Sequence, residues 1–234
     1  NNNENNKAPL ELECRSLVIN RNNFQIENFS CITPIYNTTA MNFLMLNQDK
    51  EKEIFLCYEG SLISVFNSED KWFFSSRRNL LNMSNEDTCN VNPHFNMFKS
   101  IIEQDNHTIE SFINTLDKNL TYHFVLIHHL NKNIVNYKNK FGENYKKLCF
   151  IFARNKISQK EINSEDVDSL FLSDNIFLPK KLEDINKFDE MNCLNLTMEP
   201  EYEGVIIKID NKILKLQSMQ YQFYKAIGSE NNLY

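Results

Sequence analysis

The stretch CYEGSLISVF, residues 57–66, decides how the rest of the chain is interpreted. Its two apolar runs on either side of Glu59-Gly60-Ser61 predict a β-hairpin with a tight turn. Gly60 suits this turn because a residue without a Cβ lets the backbone bend and lets a ligand approach the main chain closely. A thiol, Cys57, stands at the end of the first predicted strand. The segments around this stretch indicate which fold the hairpin belongs to.

Alternating and apolar segments predict strands through residues 10–78, at 122–129, at 147–155 and in a closing hairpin that turns at Asp210-Asn211. Apolar residues at three- and four-residue spacing predict a helix over residues 93–118. Further helices are predicted in the acidic segment 158–174, from Pro179 onward and after the closing hairpin. Strands and helices do not alternate strictly, so the sequence predicts an α+β fold of antiparallel sheets flanked by helices.

Composition bounds the domain organisation. The chain has 234 residues, 41% of them hydrophobic, with only 4 Gly and 5 Pro. We therefore expect one domain over residues 10–234, preceded by a flexible Asn-rich tail at residues 1–9. The formal net charge of −6 excludes a basic footprint over the whole chain but allows a local basic groove. No run approaches the ~18 apolar residues of a membrane span, so no membrane association is expected.

The six cysteines are widely scattered and form no C-x-x-C pair. Zinc sites of the common type use such pairs, so no metal site is predicted from them. Unpaired, scattered thiols are typical of proteins that stay in a reducing compartment, and we expect a cytoplasmic location.

Six motifs, taken in order along the chain, together resemble the motifs of a known protein family. They are ECRSLVIN, CYEGSLISVF, KWFFSSRR, YHFVLIHHLNKNIV, EYEGVIIK and ILKLQSMQYQFYKAIG. Together they resemble the adenylyltransferase domain of the phage-type RNA ligase family, which belongs to the covalent nucleotidyltransferases and has an ATP-grasp-like architecture. The resemblance implies that a motif lysine attacks the α-phosphate of ATP, with Mg²⁺ as cofactor, and that AMP then passes to an RNA 5′-phosphate. ATP and Mg²⁺ are the cofactors expected here if nucleotide binding is retained.

The resemblance also implies roles for individual residues. Residues matched to nucleotide or phosphate contacts are Arg15, Glu59, Gly60, Arg77, Phe124, Glu203, Lys208 and Lys215. Residue-level alternatives stay open for several of them. Arg15 also fits a solvated edge strand, Arg77 a charged strand end, Phe124 a core position, and Glu203 the start of an ordinary hairpin strand.

Four positions depart from the family pattern where the chemistry occurs. Cys57 stands at the nucleophilic lysine, Glu59 at an Asp or Asn, Arg78 at a glycine and Gln217 at a second basic residue. A thiol side chain is shorter than that of lysine, so it reaches the α-phosphate only if the nucleotide moves. We therefore expect a domain that has lost ligase chemistry, with no catalytic residue.

Such a domain is expected to act as a nucleotide-binding, RNA-binding or structural subunit with protein partners in a larger assembly. The acidic stretch Glu161–Asp168 would face such a partner or solvent. The alternative is an active ATP-dependent RNA ligase or nucleotidyltransferase that joins RNA ends through Cys57 or another nucleophile.

Overall fold

The computed structural model of the chain describes residues 16–77, 79–168, 170–182 and 202–230. They divide into two units, each built from separate stretches of sequence. Unit 1 takes the described residues within Asn1–Ile32, Gly60–Leu130 and Lys146–Leu178. Unit 2 takes those within Thr33–Glu59, Asn131–Tyr145 and Pro179–Tyr234. In the part of the chain that the structure describes, no helix is long and apolar enough to cross a bilayer.

Unit 1 is built on a seven-stranded sheet and a two-stranded ribbon. The ribbon pairs β1 (Val18–Ile19) with β2 (Ile26–Asn28). The strands of the sheet are β5 (Ser61–Ser68), β6 (Lys71–Ser76), β7 (Leu80–Asn82), β8 (Leu120–His128), β9 (Lys146–Asn155), β10 (Glu161–Asn163) and β11 (Ile176–Phe177). Their order is β10-β9-β8-β5-β6-β7, all antiparallel, with β11 lying parallel to β9.

Three helices accompany this sheet, and the core of unit 1 forms among them. They are α2 (Glu86–Asn90), α3 (Pro93–Ile102) and α4 (Ile109–Ile113). Helix α3 begins with proline at its first turn, and Asn92 Oδ1 caps it by accepting a hydrogen bond from Phe95 N at 3.0 Å. Its apolar face, which includes Phe98, joins the inward residues of β5, β6, β8 and β9 in an aromatic-rich core.

Unit 2 is built on a four-stranded sheet in the order β3-β13-β12-β4. Its strands are β3 (Ile35–Tyr36), β4 (Lys52–Cys57), β12 (Gly204–Ile209) and β13 (Lys212–Gln217). Its helices are α1 (Asn37–Met45), α5 (Lys138–Phe141) and α6 (Met219–Glu230). Because side chains alternate along each strand, the register places Cys57, Lys208, Lys215 and Gln217 on the same face of the sheet.

The predicted hairpin at residues 57–66 is wrong. Strand β4 pairs with β12 and strand β5 pairs with β6 and β8, so the two strands joined by Glu59 and Gly60 belong to different sheets. The local pattern of strand, turn and strand is the same in both cases, and only the long-range pairing distinguishes them. The closing hairpin of β12 and β13, with its turn at Asp210-Asn211, and helix α6 after it are confirmed.

Two helix predictions are also corrected. The predicted helix 93–118 is two helices, because Glu103–Asp105 tightens into a 3₁₀ turn and Asn106 takes a left-handed conformation. The acidic stretch that was predicted to be helical forms β10 and a 3₁₀ turn at Ser164–Asp166 instead. Helix α1 is not predicted by the sequence pattern. Most of the predicted helix after Pro179, the tail and Arg15 lie outside the described residues.

Candidate functional site

Cys57, the residue at the nucleophile position, is a buried thiol. Its side chain ends β4 and is 2% exposed. Its Sγ lies 3.8 Å from the Glu203 carboxylate and 3.9 Å from its neighbour's carbonyl oxygen. Burial raises the pKa of Cys57 to about 12, and the nearby Lys215 ammonium only partly offsets this. At neutral pH the thiol is therefore protonated, and a protonated thiol is a poor nucleophile.

Glu203 and Lys215 form a buried ion pair beside this thiol. Lys215 Nζ lies 2.8 Å from Glu203 Oε1, and both side chains are largely shielded from solvent. Burial alone would lower the pKa of Lys215, but interactions with Cys57 and Glu203 outweigh it, so the pKa is raised. The lysine is thus held as an ammonium ion whose charge already has a partner within the protein.

Gln217 extends this pair into a network. Its Nε2 donates to Glu203 Oε1 at 2.7 Å, and its Oε1 accepts from Asn37 Nδ2 at 3.2 Å. Its backbone N also donates to Asn37 Oδ1 at 2.9 Å. Asn37 begins α1 with a φ of 44°, a left-handed conformation that asparagine tolerates better than most residues. The position where the family has a second basic residue is therefore filled by an amide with both ends bonded.

Glu59 is the centre of a second group of hydrogen bonds, which connect separate segments of unit 2. Glu59 Oε2 accepts from Val135 N at 2.6 Å, and Oε1 accepts from Tyr221 Oη at 3.1 Å. The Tyr137 hydroxyl accepts from Glu59 N at 2.6 Å and donates to Glu59 O at 3.0 Å. Burial raises the pKa of Glu59 even though Val135 and Tyr221 stabilise its charged form. The residue ties the end of β4 to the loop before α5 and to helix α6.

Gly60 and Gly204 are required by close packing. A Cβ on Gly60 would overlap the carbonyl oxygen of Leu126 on β8 and would lie 2.6 Å from a methyl group of Val125. A Cβ on Gly204, whose φ is +154°, would overlap the carbonyl oxygen of Leu216 on β13. From the sequence, Gly60 was predicted to let a ligand approach the main chain. In the structure, the close approach of the Leu126 backbone is itself a sufficient reason for a glycine at this position.

The other predicted residues lie apart from this network. Lys208 is on the same sheet face, with its Nζ 5.5 Å from the centre of the Phe55 ring. Arg77 follows β6 in unit 1 and is exposed. Phe124 is fully buried among the rings of the unit 1 core, so the core alternative is the one that fits its position. Arg15 and Arg78 lie outside the described residues.

The residues present do not fit a bound divalent cation. The Glu203 carboxylate, which the family pattern assigns to metal and nucleotide, faces the Lys215 ammonium, the Gln217 amide and the Cys57 thiol. Within the described ranges, no group of three or more His, Cys, Asp and Glu side chains is placed to hold a metal ion. A cation at Glu203 would have to displace an ammonium that is already paired there.

Sequence reasoning missed two members of the site, Asn37 and Tyr137. Neither belongs to a motif that signals chemistry, and each acts through hydrogen bonds that depend on long-range folding. The pair of asparagine and glutamine at positions 37 and 217 is joined across 180 residues of sequence, which no local pattern can show.

Comparison with known proteins supports the predicted fold. No protein-family model matches the sequence, and no curated protein matches it. Among solved structures, an archaeal ATP-dependent RNA ligase matches with a TM-score of 0.62 at 13% identity, over 92% of this chain and 55% of that chain. The Naegleria gruberi RNA ligase with PPi matches with a TM-score of 0.60 at 15% identity, over 85% of this chain and 58% of that chain.

A variant of the Naegleria gruberi ligase with ATP and Mn also matches, with a TM-score of 0.59 at 14% identity, over 84% of this chain and 58% of that chain. The present chain thus spans less than two thirds of the length of these ligase chains. At such identities the likeness shows the fold alone, which this chain shares with these RNA ligases. The α+β prediction and the structural side of the RNA ligase resemblance are confirmed.

Proposed function

We propose that this domain has lost nucleotide transfer and serves as an RNA-binding or structural subunit of a larger assembly. The observation that carries the proposal is the state of Cys57. The position that supplies the attacking amine in the ligase pattern holds a thiol that is 2% exposed and whose pKa is raised to about 12. At pH 7 such a group is protonated, which leaves little of the reactive thiolate form.

The surroundings of Cys57 support the same conclusion. Lys215 would be the family's phosphate contact, but its charge is paired with Glu203 at 2.8 Å. Gln217 carries no charge and is held by Asn37 and Glu203. Electrostatic stabilisation of a reacting phosphate needs cations that are free to face it, and this network offers none prepared for that task.

Binding of RNA is supported by the nature of the structural neighbours, which are RNA ligases, and by cations outside the closed network. Arg77 is exposed and Lys208 is partly exposed. Such cations contact phosphates without any covalent step, and binding through them weakens steeply as salt rises. We also propose protein partners, because a domain that no longer catalyses nucleotide transfer would act by binding other components of an assembly.

Incubation with ATP labelled at the α-phosphate, with Mg²⁺ or Mn²⁺, tests the loss of transfer. We expect no label that survives denaturation. A covalent label on the native protein that disappears in Cys57→Ala would overturn the proposal. The companion variant Cys57→Lys is expected to stay unlabelled, whereas labelling of Cys57→Lys/Gln217→Lys would show that restoring two residues restores the chemistry.

Retention of a single-stranded RNA oligonucleotide tests the binding role. We expect retention at about 50 mM salt that falls at least tenfold at about 200 mM, as for contacts dominated by phosphates. Arg77→Ala should weaken binding, while Lys50→Ala serves as control because Lys50 is already paired with Asp210 at 2.7 Å. Absence of any RNA retention at low salt would leave only the structural role.

A further inference from the structure

Unit 2 contains a cleft of about 440 Å³ that is separate from the network around Cys57. One side is formed by residues 134–136, before α5. The other side is formed by Ser218 and by residues of α6 between Gln220 and Gly228. Neither Cys57, Glu203 nor Lys215 lines it. Its volume lies within the range of small-molecule sites in proteins. The cleft therefore has the size of a binding site, and the ligase motifs assign it no role.

The chemistry of the lining indicates the class of ligand. Three tyrosines, Tyr202, Tyr221 and Tyr224, line the cleft together with the amides of Asn136 and Gln220. Among the described residues, no Asp, Glu, Lys or Arg contributes to its wall. Ile134, Val135 and Ile227 make the rest of the wall apolar. A wall of aromatic and aliphatic side chains with a few amides suits an uncharged, flat group that has hydrogen-bonding edges.

The tyrosines differ in how much ring they offer. Tyr202 and Tyr221 are each 7% exposed, whereas Tyr224 is 50% exposed at the rim. The Tyr221 hydroxyl already donates to Glu59, so its polar end is satisfied within the protein. The Tyr202 hydroxyl oxygen accepts a hydrogen bond from the Lys140 ammonium. Tyr224 is consequently the ring best placed to stack on an incoming group, and Lys225, which follows it in α6, is exposed to solvent.

We propose that this cleft binds a nucleobase, with single-stranded RNA as its source. The base would stack on Tyr224, its edge would bond the amides of Asn136 and Gln220, and the following phosphate would remain outside near Lys225. This inference rests on the proposed function, because it specifies how RNA is bound. A free nucleoside presents the same flat group without the phosphates, so the experiment must separate the two sources.

Two substitutions test the cleft from opposite directions. Tyr224→Ala removes the stacking ring, and Gly228→Phe fills the cleft, since a Cβ on Gly228 meets no atom within 4 Å. Met219→Ala is the control, because Met219 is 71% exposed in the first turn of the same helix and does not line the cleft. Phe223 is unsuitable, since its ring packs edge-on against Tyr224 with the ring centres 5.9 Å apart. All three positions are exposed, so the fold should be retained, and thermal unfolding checks this.

The measurement is fluorescence anisotropy of a labelled single-stranded oligonucleotide, with duplex RNA and unlabelled nucleosides as further probes. We expect the single strand to bind at least fivefold more weakly to Tyr224→Ala and to Gly228→Phe, consistent with loss of one stacked base. Met219→Ala should bind as the native protein does, and the duplex should be insensitive to all three changes.

The outcomes separate the cleft from the wider function. RNA binding that is unchanged in both cleft variants overturns the nucleobase site and leaves the RNA-binding role standing. Nucleoside binding that Gly228→Phe abolishes, without any RNA binding, supports the cleft for a free base and overturns RNA as its source. Equal losses in Met219→Ala and Tyr224→Ala would place the RNA along the exposed face of α6 rather than in the cleft, and would overturn the base assignment.

Discussion

At the scale of single residues, the centre of unit 2 depends on one buried carboxylate. Glu203 Oε1 is shared by the Lys215 ammonium at 2.8 Å and the Gln217 amide at 2.7 Å. A buried charge is costly without its partner, because desolvation is then uncompensated. In a ligase these positions would contact the substrate. In this chain they form hydrogen bonds and an ion pair with one another, so substituting them should mainly change the stability of the fold.

Replacing Lys215 should therefore destabilise the fold strongly. Lys215→Met leaves Glu203 without its counter-ion, and we expect a loss of about 3–5 kcal/mol in the free energy of unfolding, measured with urea. Lys50→Met is the matched control, because the Lys50–Asp210 pair is about half exposed and should contribute at most about 1 kcal/mol. A double variant, Lys215→Met/Glu203→Gln, should recover much of the loss, and failure to do so would contradict the ion-pair explanation.

Cys57 gives a second residue-scale prediction, in the alkaline range. Its pKa rises from an ordinary value of 9.0 to about 12 in the folded protein, mainly because it is buried. The unfolded chain thus loses this proton first, and the stability that the buried neutral thiol contributes below pH 9 is lost as pH rises toward 12.

Urea unfolding between pH 8 and pH 10.5 measures this effect. The native protein should lose up to about 1.4 kcal/mol per pH unit above pH 9 that Cys57→Ala does not lose. Cys31→Ala, at a partly exposed thiol, should follow the native curve. Parallel curves for the native protein and Cys57→Ala would mean that the thiol ionises as freely in the fold as in the unfolded chain.

At the scale of elements, the junction between β4 and β5 shows what a sequence can and cannot predict. The strands on either side of Gly60 were predicted correctly, because strand propensity is local. Their pairing was not, because β4 reaches β12 across roughly 150 residues of sequence and β5 reaches β8 across roughly 60. Long-range pairing of this kind leaves no trace in the turn itself.

Gly60 supplies the test at this scale. Gly60→Ala places a methyl group against the backbone of Leu126, which cannot move without distorting β8, so a loss of about 1–3 kcal/mol in stability is expected. Gly228→Ala is the control, since its Cβ meets open space in a helix and alanine is the better helix former. Thermal unfolding should show a lower midpoint for the first and an unchanged or higher midpoint for the second.

At the scale of the whole molecule, the pH dependence of stability reports on buried histidine. His123 is fully buried in unit 1, between the hydroxyls of Ser64 and Thr121 at 3.0 Å each. Burial and the nearby Arg154 charge lower its pKa from 6.5 to about 3. The unfolded chain takes up the proton first, so this contribution to stability is present above pH 6.5 and is lost as pH falls toward 3.

We expect the native protein to lose about 2 kcal/mol between pH 6.5 and pH 5 through this one group. His123→Gln should show a shallower slope of unfolding free energy against pH over that range. His107→Gln, at an exposed position, is the control variant. A His123→Gln slope equal to that of the native protein would place the acid sensitivity elsewhere.

The site could be predicted only in part from sequence. Motif order located Cys57, Glu203, Lys215 and Gln217. The register of β4, β12 and β13 brings Cys57, Lys215 and Gln217 to one sheet face, and Glu203, just before β12, bonds Lys215 and Gln217. Sequence could not show that these residues would bond one another, because that depends on Asn37 and on the depth of burial. Glu59 and Gly60 were likewise located but assigned to a ligand, whereas the structure gives both an internal task.

The network of Glu203, Lys215 and Gln217 also has a consequence for how the domain depends on small molecules. With a protonated Cys57, one negative and one positive charge cancel. A lysine at position 57 and a second basic residue at position 217 would leave two surplus positive charges, which an anion would relieve. The present residues carry no such surplus, so folding gains nothing from an anion there. Saturating inorganic triphosphate, which has no base to enter the cleft beside α6, should leave the melting temperature unchanged. The network beside Cys57 would then form as soon as the domain folds, whatever the supply of phosphate compounds in its surroundings.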